Sequence, residues 1–286
     1  LKILMKIILG KVLPVYLSIS FLLSSNSKDY ENFLWVKSLP NPWTFSTDEL
    51  DKVLVDFQIK YPDFYNRLIA INLWRLNTPY RLFCLGEESG IDKDPIIRID
   101  SSDCTVHVLT SLVLAESNSW SEARKKMVEL HYKVSNGHKK PTYESRWHFT
   151  SDRIISHRMT PNITPNIVDK KLMKHVNVNI NMKSDSTEFL NLNWNTNHKI
   201  GYLPTKNISE ITLKNLPKIC GVAFVKESYF KMGVVIAHEG FLINGKDFIH
   251  ASSKRKKTVR DDFFTYIFED GKPRFDGIML FKINQF

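Results

Sequence analysis

The chain reads as an α+β protein whose helices come first and whose antiparallel sheet follows them. Three observations predict this. Two Ser-initiated capping boxes, Ser46-Thr47-Asp48-Glu49 and Ser119-Trp120-Ser121-Glu122, lie in the first half. Between them runs a strongly apolar helical stretch from Cys104 to about Glu116. Beyond Pro141 the pattern changes to short apolar runs bounded by turn residues, without the alternation expected of βαβ units.

Taken in order, residues 1–27 read as a secretory signal peptide. Lys2, Lys6 and Lys11 form a basic start, Val12 to Leu23 is apolar and uncharged, and Ser24-Ser25-Asn26-Ser27 offers small residues for cleavage. The apolar run falls short of the roughly 20 residues a membrane span needs. We therefore expect no stable span after signal removal and an exported protein, periplasmic or extracellular; an uncleaved amphipathic anchor is the competing reading. Residues 28–43 contain Pro and Trp but little periodicity and read as a tether, leaving residues 44–286 as one folded domain.

In that domain the first helix opens at Ser46, with Leu50, Val53, Leu54 and Phe57 at one-face spacing. A second runs from about Pro62 to Leu76 and stops at Asn77-Thr78-Pro79. A loop from Tyr80 to Ser102 leads to the buried helix at Cys104, and the Ser119 box opens a fourth that continues through His131. Strands are expected at 144–149, 176–182, 220–226, 233–243, 248–252, 263–268 and 277–283, with residues 183–206 as a long polar surface loop.

Hydrophobic residues at 43% and charged residues at 24% exclude a disordered chain and a multi-span membrane protein. Forty Lys and Arg against 30 Asp and Glu give a formal charge of +10, which favours polyanionic partners. The basic residues are scattered, however, and the one tight run, Lys254-Arg255-Lys256-Lys257, reads as a solvated loop, so nucleic acid is not the expected partner. The three cysteines, Cys84, Cys104 and Cys220, include no CxxC and no His/Cys cluster at zinc spacing; no metal and no cofactor is expected. Cys84 and Cys220 are read either as a disulfide or as buried thiols.

Taken alone, Cys104 would be a small core residue. Its setting points to chemistry, because Ser101-Ser102-Asp103 places it in the first turn of a helix, where unpaired N–H groups and the dipole favour an anion and lower a thiol pKa. The second element is a hairpin around Asn244-Gly245, with His238 on one strand and His250 on the other. A type I turn closing on a Gly bulge would set His238 directly opposite His250. A two-residue type I′ turn would send the two to opposite faces. In the first register His238 is a base for the thiol and His250 the partner that fixes its ring and tautomer. Tyr80 and the Cys104 N–H are candidate oxyanion donors, Arg146 is a candidate substrate contact, and Arg98 with Asp100 reads as an ion pair holding the loop.

Thr78-Pro79-Tyr80, Pro95 to Asp100, Asp103-Cys104-Thr105, His238-Glu239-Gly240-Phe241 and Phe248-Ile249-His250-Ala251-Ser252 together resemble the N-acetylmuramoyl-L-alanine amidase-like family, which is similar to the NlpC-type papain-like peptidoglycan hydrolases. The resemblance spans about residues 60–283. It implies a papain-like fold and hydrolysis of an amide in peptidoglycan or muropeptides, by a Cys–His pair with a third polar residue matched here by His250. The lactyl–L-alanine bond is favoured by the resemblance alone; a D-glutamyl–diamino-acid endopeptidase and a non-catalytic cell-wall-binding module are the alternatives. The chain departs from the family pattern at Leu109, where a Glu is usual, at Val106-His107 and around Cys220-Gly221, and at Glu239, where a Val is usual.

Overall fold

A computed structural model describes residues 28–133 and 141–286, so the leader at 1–27 lies outside the described residues. The chain divides into two compact units, one ending at Leu39 and the other covering Pro40–Phe286. In the first, the stretch read as a tether forms a 3-10 turn, Lys28–Phe33, and a short helix α1, Leu34–Ser38.

The second unit is α+β. Helix α2, Thr47–Lys60, starts as the capping box dictates: the Ser46 hydroxyl accepts the Glu49 N–H, and the Glu49 carboxylate takes the Ser46 N–H at 2.8 Å. Helix α3, Phe64–Trp74, is capped by Asp63. Helix α4, Cys104–Ala115, is buried from Val106 to Ala115, as its composition requires. Helix α5, Trp120–His131, is capped by Ser119, although Glu122 reaches back to the N–H of Asn118 rather than Ser119. Two short helices follow, α6 at Thr150–Ser156 and α7 at Thr164–Ile167.

The described residues then form nine strands: β1 Lys174–Ile180, β2 Thr196–Pro204, β3 Ile219–Val225, β4 Ile236–Ile243, β5 Asp247–Ser252, β6 Lys257–Asp262, β7 Phe268–Glu269, β8 Lys272–Pro273 and β9 Gly277–Phe281. Seven form one antiparallel sheet in the order β1-β2-β9-β3-β4-β5-β6, and β7 pairs with β8 separately. One face of the large sheet packs on α4, where Phe241 meets the His107 ring edge-on. The other face carries an aromatic core with Phe224, Phe248, Phe263 and Phe275.

Several expected strands differ. Residues 144–149 are not a strand, because Thr142 and Ser145 cap each other and close a 3-10 turn at Tyr143–Ser145. The run at 263–268 begins as helix α8, Phe263–Tyr266, because the Asp262 carboxylate accepts both the N–H and the hydroxyl of Thr265. The loop expected at 183–206 contains β2. Its first half is polar and lies toward the sheet margin, and only from Ile200 to Leu203 does it run fully buried.

The β4–β5 hairpin takes neither of the two registers expected. Phe241 faces Ile249, Leu242 faces Phe248 and Ile243 faces Asp247. Asn244 and Gly245 both have positive φ, 51° and 66°, as a type I′ turn needs, but Lys246 is an extra residue before pairing begins. Its carbonyl accepts the N–H of Phe263 at 2.7 Å. His238 is therefore not opposite His250. The shift is even in number, so both histidines still project from the same face.

Candidate active site

The start of α4 is built from the loop before it. Asp103 is the N-cap: one carboxylate oxygen accepts the Val106 N–H and the other the Phe83 N–H, both at 2.9 Å. Arg75, fully buried, donates to the Ser102 hydroxyl, the Ser111 hydroxyl and the His107 carbonyl at 2.7, 2.9 and 2.8 Å, tying the turn to the helix it starts. Burial lowers the Arg75 pKa to about 9. Arg98 forms a bidentate pair with Asp100, 2.8 Å on each arm. Cys104, half-buried, borders a cavity of about 580 Å³ together with Tyr80, Arg146, His148, His238 and Glu239.

The Cys104 sulfur shares this cavity with His238 and Glu239. It is not hydrogen bonded to His238, whose Nε2 lies 2.8 Å from His250 Nδ1. The two histidines meet across Gly240. A Cβ there would come within 2.8 Å of the His250 Cβ and 2.7 Å of the Ile249 carbonyl, so glycine is what lets the rings approach. His250 Nε2 in turn lies 3.1 Å from Asp261 on β6. Phe224 stacks on His238 and Phe248 on His250, with Tyr266 beside both.

The electrostatics reverse one expectation. Position at a helix start was expected to lower the thiol pKa, but burial raises that of Cys104, and the carboxylates of Asp103 and Glu239 raise it further. The capping residue that opens the helix is itself a nearby negative charge. His238 is pushed well below the ordinary histidine value by burial and by the neighbouring His250 and Arg274. The site thus holds a neutral thiol beside a neutral imidazole.

Glu239 is completely buried on the helix-facing side of β4. One carboxylate oxygen accepts the hydroxyls of Thr105 and Thr150, both at 2.8 Å, and the other meets Arg153 at 2.5 Å. Tyr80 has its N–H on the Lys256 carbonyl at 2.9 Å. Burial and the neighbouring Cys104 push its phenol up to about 12, so it remains a donor at neutral pH. Arg146 lines the cavity but is engaged by Glu87 at 2.7 Å, Asp92 at 3.0 Å and the Leu85 carbonyl at 3.0 Å. Cys84 and Cys220 are separate buried thiols. Among the described residues, no group of three or more His, Cys, Asp or Glu is placed to hold a metal ion, and no helix is long and apolar enough to cross a membrane.

Asp261, Arg153 and the partners of Glu239 escaped the reading of the sequence. Asp261 lies four positions beyond the basic run, and Arg153 lies on α6, a helix without a clear periodic signal. The alternation Val259, Asp261 behind the strand of His250 was the available hint.

The family model for N-acetylmuramoyl-L-alanine amidase-like proteins matches residues 71–272. Among solved structures, the chain is similar to a Legionella pneumophila protein with a TM-score of 0.65 at 21% identity, covering 82% of this chain and 95% of that one. An N-acetylmuramoyl-L-alanine amidase from Bacteroides uniformis superposes with a TM-score of 0.55 at 17% identity over 76% of this chain and 98% of that one. A Bacteroides fragilis protein described provisionally as a xylanase gives 0.56 at 18% identity, over 75% and 99%. No curated protein matches.

Proposed function

Given that the chain belongs to the N-acetylmuramoyl-L-alanine amidase-like family, we propose that it is an exported cysteine hydrolase that cleaves an amide bond of peptidoglycan or its muropeptide fragments. In this reading residues 1–27 are the export signal and residues 44–286 a papain-like, NlpC-type hydrolase domain. The observation that supports it most is the meeting, at one cavity, of Cys104, at the start of α4, with His238, whose ring is hydrogen bonded to His250 behind it.

The chemistry is acyl transfer. His250 occupies Nε2 of His238, which leaves Nδ1 to take the thiol proton. The sulfur attacks the amide carbon, and the oxyanion is held by the Cys104 N–H and the Tyr80 hydroxyl. His238 then protonates the departing amine, and a water deprotonated by His238 hydrolyses the thioester. With both groups neutral at rest, the proton moves as the S–C bond forms. The thiolate is not stored beforehand.

The lactyl–L-alanine bond is the preferred target, since the Bacteroides uniformis neighbour is an N-acetylmuramoyl-L-alanine amidase; a D-glutamyl–diamino-acid bond is the alternative. Purified protein incubated with defined muropeptides, with products identified by mass spectrometry, separates the two. Cleavage by Cys104→Ala at the parental rate would overturn the mechanism. The second reading, a non-catalytic wall-binding module, is favoured by the raised thiol pKa and by the missing sulfur–imidazole hydrogen bond. It predicts binding of sacculi without release of any fragment.

A further inference from the structure

We propose that Asp261 is a fourth member of the site, a positioning residue that sets the direction of the hydrogen bond between His238 and His250, and that Arg255 holds it in place. The inference rests on the reading of His238 as the base.

Strand register brings the group there. Asp261 pairs with Phe248 and Val259 with His250, so the side chains of residues 248, 250, 259 and 261 share one face of the β5–β6 ladder. The Asp261 carboxylate lies 3.1 Å from His250 Nε2. Burial acts to raise its pKa, but hydrogen bonds from His250 and Arg255 outweigh burial and keep it below the ordinary carboxylate value. An ionised carboxylate can only accept, so His250 carries its proton on Nε2. Its Nδ1 is then a lone pair and must receive the N–H of His238 Nε2, 2.8 Å away. That leaves the lone pair of His238 on Nδ1, the atom that takes the thiol proton. Without the carboxylate the pair can be donated in the opposite sense, and His238 would then hold a proton where it needs an acceptor.

Arg255 closes the arrangement. It stands on the turn between β5 and β6, and its guanidinium contacts the same Asp261 oxygen that receives His250. The backbone of this turn also holds Tyr80, through the Lys256 carbonyl. The basic run Lys254–Lys257, which the sequence presents as a solvated loop, therefore has one exposed member, Arg255, engaged by a carboxylate of the site.

The groups facing the two histidines are Asp261 from β6, Arg255 from the turn before it, Arg274 just beyond β8, Tyr266 from α8 and His107 from α4. Of these only Asp261 favours the imidazolium.

The test uses the full protein with nitrogen-15 in its histidines, and compares the parent with Asp261→Ala, Asp261→Asn and Arg255→Ala. In the parent, His238 should show a protonated Nε2 and an unprotonated Nδ1. Asp261→Ala should mix or reverse that tautomer, lower kcat on a muropeptide by about 100-fold with KM little changed, and move the acid limb of kcat/KM to lower pH. Asp261→Asn, which keeps the shape without the charge, should move the acid limb in the same direction. Arg255→Ala should disturb the tautomer and kcat in the same sense at smaller size, while loss of its positive charge moves the acid limb the other way, to higher pH. A parent His238 protonated on Nδ1, or an Asp261→Ala variant with unchanged tautomer and unchanged acid limb, overturns the proposal. If no variant and no parent protein cleaves any muropeptide, the amidase reading fails, while the tautomer of His238 still decides the role of Asp261.

Discussion

His238 and Glu239 are neighbours in sequence and opposites in environment. Strand alternation turns His238 toward the aromatic face of the sheet, where it is neutral and passes its hydrogen bond through His250 to Asp261. Glu239 points to the helical face, where it forms a buried ion pair with Arg153 and accepts two threonine hydroxyls. Cys104 borders the cavity that both residues line, and the Glu239 carboxylate helps to raise its thiol pKa. In the proposed mechanism one side of the strand handles a proton, and the other holds a charge that opposes early ionisation of the sulfur. Arg153, Thr105 and Thr150 satisfy both oxygens that Glu239 brings into the interior.

The sharpest way to break this comparison is to remove the proton-handling side. Cys104→Ala or His238→Ala should lower amide cleavage by about 10⁴-fold or more while leaving the fold intact. Circular dichroism and muropeptide turnover on the same samples check this. An unimpaired His238→Ala would mean that the aromatic face plays no part in the chemistry.

The charged side should answer in stability instead. Glu239→Ala leaves the Arg153 guanidinium buried without a partner and is expected to cost about 3–5 kcal/mol in urea denaturation. Replacing both, Glu239→Val with Arg153→Leu, should recover most of that loss, because an apolar pair carries no desolvation penalty. If the single variant were as stable as the parent, the ion pair would not be the determinant we describe.

Tyr80→Phe tests the oxyanion role of a residue that lines the cavity with Cys104. Loss of its hydroxyl should reduce kcat by about 10- to 100-fold with little change in KM, measured by single-turnover cleavage. The Lys256 carbonyl still holds the backbone N–H of residue 80, so the loop should not move.

The smallest effect expected is on stability against pH. His238, His107 and His131 are all lowered well below the ordinary value, burial being the main cause, and burial also brings His148 down to about 4. Unfolding lets these groups take up protons near pH 6.5, so the stability they contribute is complete above that pH and is lost as the pH falls below it. Tm should fall between pH 7 and pH 5, and each His→Gln variant should flatten the fall. A Tm that rises on acidification would reverse the assigned sign.

Much of the helical half was legible because caps and periodicity are local. Ser46, Asp103 and Ser119 each cap the helix they announce, and the apolar run after Cys104 is buried as written. The strands were harder to read. Strand β2 hides behind Asn and His residues, and β6 begins at the last of four consecutive basic residues, so neither shows an apolar run at its start. The hairpin was visible in Asn244-Gly245, but a single extra residue at Lys246 set its register, and turn chemistry does not specify that residue.

What the sequence by itself determined was the α+β order, a cysteine in the first turn of a buried helix and two histidines near one hairpin, because caps, periodicity and turn residues act between positions a few residues apart. Only the tertiary structure decided that the rings meet across Gly240, that Asp261 lies behind His250, that Arg153 answers Glu239 and that the thiol is held neutral. Each of these depends on contacts between distant segments and on the water their burial removes, and no local pattern encodes either.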